Sequence, residues 1–248
     1  MNITRQEIIN TYAAAFAPLD TVYAMWLEGA DATGHLDEYS DMDINLDVAD
    51  EAVEDVLHLA ETLFPLDLCY ENGGDDGQLQ RVYHIADTSE YWMIDFNVQL
   101  HSCNGRYSKF RHGDEIEKCI VLFDKAEVVR YVEPNPALWQ EEHQFWLRES
   151  EYRFSQLCRV YKYILRGQYP EALLYYNKYV VEPIVMLLRM RYTPGKLYYH
   201  MVHISQHIPA EPLTRLNKLL QVSSNADIAA RLGFARDWYQ ELRAQLCQ

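Results

Sequence analysis

From residue 41 to residue 48 the chain alternates without a break: Asp41, Asp43, Asn45 and Asp47 interleave with Met42, Ile44, Leu46 and Val48. A period of two puts the first set on one face of a β-strand and the second on the other. The segment therefore reads as a strand with an apolar face toward a core and an acidic face away from it. Asp41 and Asp43 leave that face together, with Cα atoms about 6.5–7 Å apart. The pattern returns where Trp92, Ile94, Phe96 and Val98 alternate with Met93, Asp95, Asn97 and Gln99. Asp95 joins the acidic pair if the two strands are neighbours.

Charge divides the chain. Residues 1–134 hold 8 Lys+Arg and 27 Asp+Glu, a net of −19, whereas residues 135–248 hold 14 and 10, a net of +4. Two chemically different halves imply two domains, 1–134 and 135–248, meeting at Glu133-Pro134-Asn135-Pro136, where two prolines stop a continuing strand. The overall charge of −15 speaks against a nucleic-acid partner, because neutralising a phosphate backbone needs clustered Lys and Arg. No apolar run reaches the roughly 18 residues of a membrane span, and residues 1–20, with Arg5, Glu7 and Asp20, show no basic start followed by an apolar run. A soluble, cytoplasmic protein with no membrane partner is expected. Cys69, Cys103, Cys119, Cys158 and Cys247 are odd in number and form no CxxC, so neither a disulfide framework nor a thiolate zinc site is expected.

Helical spacing of Ile8, Ile9, Tyr12 and Phe16 predicts an opening helix that ends before Pro18. Residues 21–27 read as a buried strand that Glu28-Gly29 ends, and 49–64 as a helix. The acidic, glycine-rich stretch 71–77 reads as a loop. Residues 79–86 and 91–100 read as antiparallel strands, and 120–123 with 128–132 as a final strand pair. Gln80, Tyr83 and His84 are placed on the strand before Asp95, where they either touch nucleotide or acceptor or form ordinary strand exterior. Residues 135–248 show almost no strand signal. Helices are expected over 135–166, 170–191, 195–207, 212–221 and 225–245, with Pro183 a kink or break in the second. The fold class is α+β: a small mixed-sheet domain followed by an all-helical bundle.

Three carboxylates on rigid strands suit Mg²⁺, which takes a few carboxylates together with water and substrate phosphates. A pair of such ions activates a hydroxyl and stabilises a departing phosphate in an in-line displacement. At Gly29, a turn after a buried strand lets backbone N–H groups come close to phosphate oxygens.

The segment Leu27-Glu-Gly-Ala-Asp-Ala-Thr-Gly-His-Leu-Asp-Glu-Tyr-Ser-Asp-Met-Asp-Ile44 resembles the signature of the DNA polymerase β-like nucleotidyltransferase superfamily. That signature is a strand, a Gly-Ser turn, about ten residues, an Asp-hydrophobic-Asp strand and a third acid on a later strand; Met93-Ile94-Asp95-Phe96 is similar to the last part. The subgroup most resembled is the bacterial aminoglycoside and lincosamide nucleotidyltransferases and their relatives, which carry a C-terminal helical domain. The resemblance implies Asp41 and Asp43 as ligands of Mg²⁺, and Asp95 as a metal ligand or general base. Gly29, Ala30 and Ser40 fall on the nucleotide side, Ser40 also stabilising the strand entry. The implied reaction moves AMP from Mg-ATP to a hydroxyl of a small molecule, such as a cationic aminoglycoside-like antibiotic, and releases pyrophosphate. The family usually has Ser where this chain has Ala30, a lost donor worth about 1.5–3 kcal/mol. That departure keeps a nucleotide-binding pseudo-enzyme as an alternative, beside an antitoxin-like enzyme that adenylylates a partner protein.

A triphosphate over carboxylates needs cations on its other side. The helical half offers Arg148, Arg153, Arg159 and Lys162, then Lys178, Arg189, Arg191 and Lys196. His200, His203 and His207 fall at i, i+3 and i+7, but no neighbouring acid or cysteine completes a metal set. The many tyrosines of that half read as packing residues with wet hydroxyls.

Overall fold

The computed structural model describes residues 3–75 and 77–246, so Cys247 lies outside the described residues. The chain divides into two compact units, residues 1–134 and 135–248. Its architecture is α+β.

Unit 1 is built on a six-stranded mixed sheet whose strands lie in the order Leu66–Asp75, Gln78–Ile85, Ile94–Leu100, Met42–Val48, Val22–Leu27 and Ile120–Asp124. Helix α1 (Arg5–Phe16) starts at a capping box, in which the Thr4 side chain accepts from the Glu7 backbone and Glu7 returns the bond. Strand β1 (Val22–Leu27) runs into the short helix α2 (Gly29–Thr33), and β2 (Met42–Val48) follows, then α3 (Val53–Thr62). Ile8, Ile9, Tyr12 and Phe16 of α1 and Val53, Val56, Leu57 and Ala60 of α3 pack on the apolar rows Met42, Ile44, Leu46, Val48 and Ile94, Phe96, Val98. Each element thus buries the face that its period marks.

Strands β3 (Leu66–Asp75), β4 (Gln78–Ile85) and β5 (Ile94–Leu100) extend the sheet on one side. The stretch expected as a loop at 71–77 is the far end of β3 as far as Asp75. Its backbone is paired to β4 as far as Asp75↔Gln78, with a register shift between Glu71 and Gly73. Cross-strand bonding to β4 outweighs the poor strand propensity of Asn72, Gly73 and Gly74, and the shift absorbs the extra residue. Tyr83 also departs from expectation. It is fully buried, 5.5 Å from the Phe96 ring, on the core face rather than with the site residues.

The strands expected to pair with each other at the end of this unit do not. Strand β7 (Ile120–Asp124) adds to the other sheet edge, antiparallel to β1, while β8 (Arg130–Val132) pairs in parallel with β6 (Lys109–Arg111) in a separate two-stranded sheet. Asp124 turns the chain between them: its carboxylate accepts from the backbone N–H groups of Ala126, Val128 and Val129.

Unit 2 comprises α4 (Pro136–Ser155), α5 (Cys158–Leu165), α6 (Tyr169–Tyr176), α7 (Glu182–Tyr192), α8 (Ile204–His207), α9 (Ala210–Leu220) and α10 (Asn225–Leu246). Asn135 caps α4 through the Ala137 N–H at 3.1 Å. The first expected helix is therefore two, α4 and α5. The second is interrupted by a π turn over Asn177–Val181, immediately before Pro183 near the start of α7. Pro183 cannot donate to the carbonyl four residues back, so the ladder is re-spaced there. The core gathers Val160, Tyr176, Ile184, Leu187, Leu188, Leu219, Leu232 and Trp238, and the Tyr176 hydroxyl donates to the Leu219 carbonyl at 2.8 Å.

The helix expected over 195–207 is absent. A 3₁₀ turn at Leu197–Tyr199 and the four-residue α8 are separated by His200 and His203, both at positive φ, 46° and 54°, the second left-handed. Arg189 on α7 is the cause. It is fully buried and donates to the His200 carbonyl at 2.8 Å, the Val202 carbonyl at 2.5 Å and the Thr193 hydroxyl at 3.3 Å. It also meets His207 Nδ1 at 2.9 Å, and because a guanidinium only donates, that nitrogen accepts. Carbonyls turned inward to a buried cation cannot also continue a helix. The three histidines thus share no helix face.

No helix among the described residues is long and apolar enough to cross a membrane.

Candidate active site

Strand β2 lies beside β5, in parallel, with Asp43 directly opposite Asp95. The backbone ladder extends one step upstream through Met42 N–H to Met93 O at 2.8 Å. Asp41, at the entry of β2, is exposed, while Asp43 and Asp95 are partly buried. The three acids therefore gather on one face at the start of the parallel pair, opposite the apolar rows that seat both strands in the core.

The turn after β1 closes one side of this group. Glu28 N–H donates to the Asp43 carbonyl at 3.1 Å, and Gly29 follows with φ +60°. A Cβ at Gly29 would stand 1.9 Å from Asp43 Oδ2, so only glycine permits both the backbone conformation and the approach. Ala30 and Asp31 continue into α2, where the Thr33 hydroxyl donates back to the Gly29 carbonyl at 2.9 Å.

Arg5, which sequence reasoning passed over, ties this turn to the strand entry. Its Nε donates to Asp31 Oδ1 at 3.3 Å and its Nη1 to the Ser40 carbonyl at 2.8 Å, while Nη2 reaches Asp31 Oδ2 and the Asp41 carbonyl. The hydroxyl of Ser40 is engaged locally. It donates to Asp37 Oδ1 at 2.9 Å and accepts from the Asp37 N–H at 3.0 Å, consistent with a role in the strand entry.

Electrostatics mark the same place. Burial pushes the Asp43 carboxyl up to about 7, and the charges of Asp41, Asp95 and Asp31 add to the shift against the opposing pull of Arg5. Burial, then Asp41, also raises Asp95 above the ordinary carboxylate range. Glu28 is pushed to about 7 as well, by burial first and then by Asp43 and Glu117, despite a hydrogen bond from Trp26 Nε1 at 2.7 Å. A divalent cation would relieve this repulsion. No group of three or more His, Cys, Asp or Glu among the described residues could by itself hold a metal ion, so the expected three-carboxylate cage is not preassembled. Asp41 and Asp43 offer hard carboxylate oxygens, the donor type that Mg²⁺ takes together with water and phosphate oxygens.

The acidic face read from the sequence does not run the whole strand. Asn45 and Asp47 are buried, and on the neighbouring strand Ala24 and Trp26 pack with Phe110 and Val128. Asp47 accepts from Gln99 Nε2 and pairs with His101 Nδ1 at 2.6 Å, and the His101 ring stacks on Tyr23 at 3.9 Å. Only the end of the face that carries Asp41, Asp43 and Asp95 stays partly open. Of the residues on β4, Gln80 lies opposite Asn97 and accepts from Asn72. His84 is held between Asp67 and the Ser89 carbonyl.

Three of the expected phosphate cations are already committed. Arg153 pairs with Glu149 and Glu182, Arg189 is spent on carbonyls, and Lys196 is buried. Arg5 and Glu28 were missed because their relevance depends on contacts that no local pattern encodes. The adjacency of Glu28 to Gly29 was the one available signal.

No protein-family model and no curated protein matches the chain. Among solved structures it is similar to an aminoglycoside 6-adenyltransferase from Bacillus subtilis, at 12% identity over 98% of this chain and 90% of that one, with a TM-score of 0.37. A candidate nucleotidyltransferase from H. pylori is similar at 13% identity over 98% and 97%, TM-score 0.30. JHP933 from Helicobacter pylori is similar at 14% over 98% and 96%, TM-score 0.29. At such scores neither a fold family nor an activity follows from the likeness.

Proposed function

We propose that the chain is a nucleotidyltransferase and that Asp41, Asp43 and Asp95 are its reacting centre. The observation that carries this is the pairing of Asp43 with Asp95 across parallel strands, with Gly29 pressed against the Asp43 carboxylate. Unit 1 is then the catalytic domain and unit 2 a helical domain.

Asp41 and Asp43 would hold Mg²⁺, which when bound supplies charge neutralisation on a nucleoside triphosphate, ATP in our reading. Backbone N–H groups at the Gly29 turn would meet the outer phosphates. Asp95 would orient the acceptor hydroxyl and take its proton, a role suited to a carboxylate above its usual range. The hydroxyl oxygen then bonds to the α-phosphorus as the bond to the bridging oxygen breaks, and pyrophosphate leaves. Catalysis would rest mainly on positioning and charge. The acceptor is a hydroxylated small molecule, and the −19 charge of residues 1–134 favours a cationic one such as an aminoglycoside-like antibiotic.

Ala30 supports a second reading, a protein that binds nucleotide but turns it over poorly. Titration calorimetry of Mg²⁺ with a nonhydrolysable triphosphate, on the native chain and on Asp41→Asn with Asp43→Asn, tests the site. Metal-dependent binding that the double variant loses supports both readings, and labelled-ATP transfer to hydroxyl acceptors or to a co-purifying protein separates them. Absence of binding by the native chain refutes both.

A further inference from the structure

Unit 2 carries an exposed cationic face of its own. Between Cys158 and Lys178 the chain has four cations, Arg159, Lys162, Arg166 and Lys178, against the single acid Glu171. All four are exposed, and none makes an ion pair among the described residues, whereas Arg153, Arg215 and Arg243 of the same unit are paired to glutamates.

Their positions are set by a tyrosine ladder. The rings of Tyr163 and Tyr175 stack at 5.0 Å and 7°, and those of Tyr175 and Tyr179 at 5.5 Å and 12°. Lys162 and Arg166 stand 4.7 and 5.6 Å from the Tyr163 centroid, and Lys178 and Arg159 stand 5.7 and 6.0 Å from that of Tyr179. Both ends of the ladder therefore carry two cations, held over ring faces that attract them. Arg159 and Lys162 on α5 and Arg166 at its C-cap are three and four residues apart, so they line one helix face.

We propose that this face of α5, α6 and the π turn binds single-stranded nucleic acid through its phosphates. Four exposed cations with no ion-pair partner among the described residues meet successive backbone phosphates, beside the partly buried rings of Tyr163 and Tyr175. The whole-chain charge of −15 argues against this only if charge is averaged, and the structure segregates it.

The test is fluorescence anisotropy of a labelled oligouridine with the full chain across a salt series. Four phosphate contacts predict a slope of log K against log salt of about −2.8, an affinity loss of about fifty-fold between 50 and 200 mM salt. The variant with Arg159, Lys162, Arg166 and Lys178 all changed to Ala should lose affinity at least tenfold and flatten the slope, with an unchanged circular dichroism melt. Each single change should remove about 0.7 from the slope. No binding at low salt with protein at about 100 μM, or equal binding by the quadruple variant, overturns the proposal. So does cosedimentation with phosphatidylserine vesicles in preference to the oligonucleotide, since exposed Leu165 and Leu174 lie on the same hairpin.

Discussion

Replacing Asp43 by Asn should stabilise the metal-free protein, and by an amount that depends on pH. The carboxyl is held at about 7 against an ordinary 3.8, so the native state binds its proton more tightly than the unfolded chain does. The wild type therefore loses stability as pH rises from about 4, and the loss is complete above about 7. Linkage with these two values gives a penalty of about 1.7 kcal/mol at pH 5 and about 4.3 kcal/mol at pH 8. Asn carries no such penalty, so the advantage of Asp43→Asn should grow by about 2.6 kcal/mol between the two. Glu28 acts in the same direction, because the variant removes one of the charges that raise it. With a urea m-value of about 2 kcal/mol/M, the gap appears as a midpoint difference about 1 M larger at pH 8 than at pH 5. The assay is urea unfolding in EDTA at both pH values, followed by hydrogen exchange in peptides covering residues 42–48, which isolates unit 1. A gap that does not change with pH, or a variant less stable than wild type at pH 8, refutes the electrostatic account of the site. With saturating Mg²⁺ and triphosphate the order should invert, since only the wild type gains ligand-linked stability.

Gly29→Ala should remove metal-dependent triphosphate binding in calorimetry, because a Cβ 1.9 Å from Asp43 Oδ2 displaces the carboxylate; unaltered affinity would separate the turn from the site. Ala30→Ser restores a hydroxyl donor, and if the phosphates lie at this turn it should tighten triphosphate binding about tenfold, near 1.5 kcal/mol. Arg5→Ala frees the carbonyls of Ser40 and Asp41 and the Asp31 carboxylate together. It should lower unit 1 stability by about 1–3 kcal/mol in urea titration and weaken Mg²⁺ affinity. Arg189→Met leaves the His200 and Val202 carbonyls without their donor. A loss of about 2–4 kcal/mol in thermal unfolding of unit 2 is expected, and a change within 0.5 kcal/mol would show that the loop does not depend on this cation.

The unbroken alternation of residues 41–48 was sufficient to identify β2, its buried row and the face that carries Asp41 and Asp43, because a period of two has one structural meaning. Residues 94–100 were legible for the same reason, and helices α1, α3, α9 and α10 because their apolar spacing matches a single turn length. The break near residue 134 was visible as a change in charge and two prolines. These are local or compositional signals, and they survive any arrangement of the rest of the chain.

What tertiary structure decided is whatever depends on a partner distant in sequence. That β2 and β5 are adjacent and in register, which brings Asp95 to Asp43, is a property of the sheet order and not of either strand. Pairing with β4 made a strand of the glycine-rich end of β3, and β7 and β8 went to different sheets because their edges were bonded elsewhere. Tertiary packing buried Asn45 and Asp47 and so closed half of a face that the sequence shows as uniformly polar. Arg189 overrode the helical spacing of residues 195–207 by drawing carbonyls inward to a buried charge. A pattern of residues encodes which face of an element is apolar, but not which neighbour will cover it, and both pKa shifts and reach are set by that neighbour.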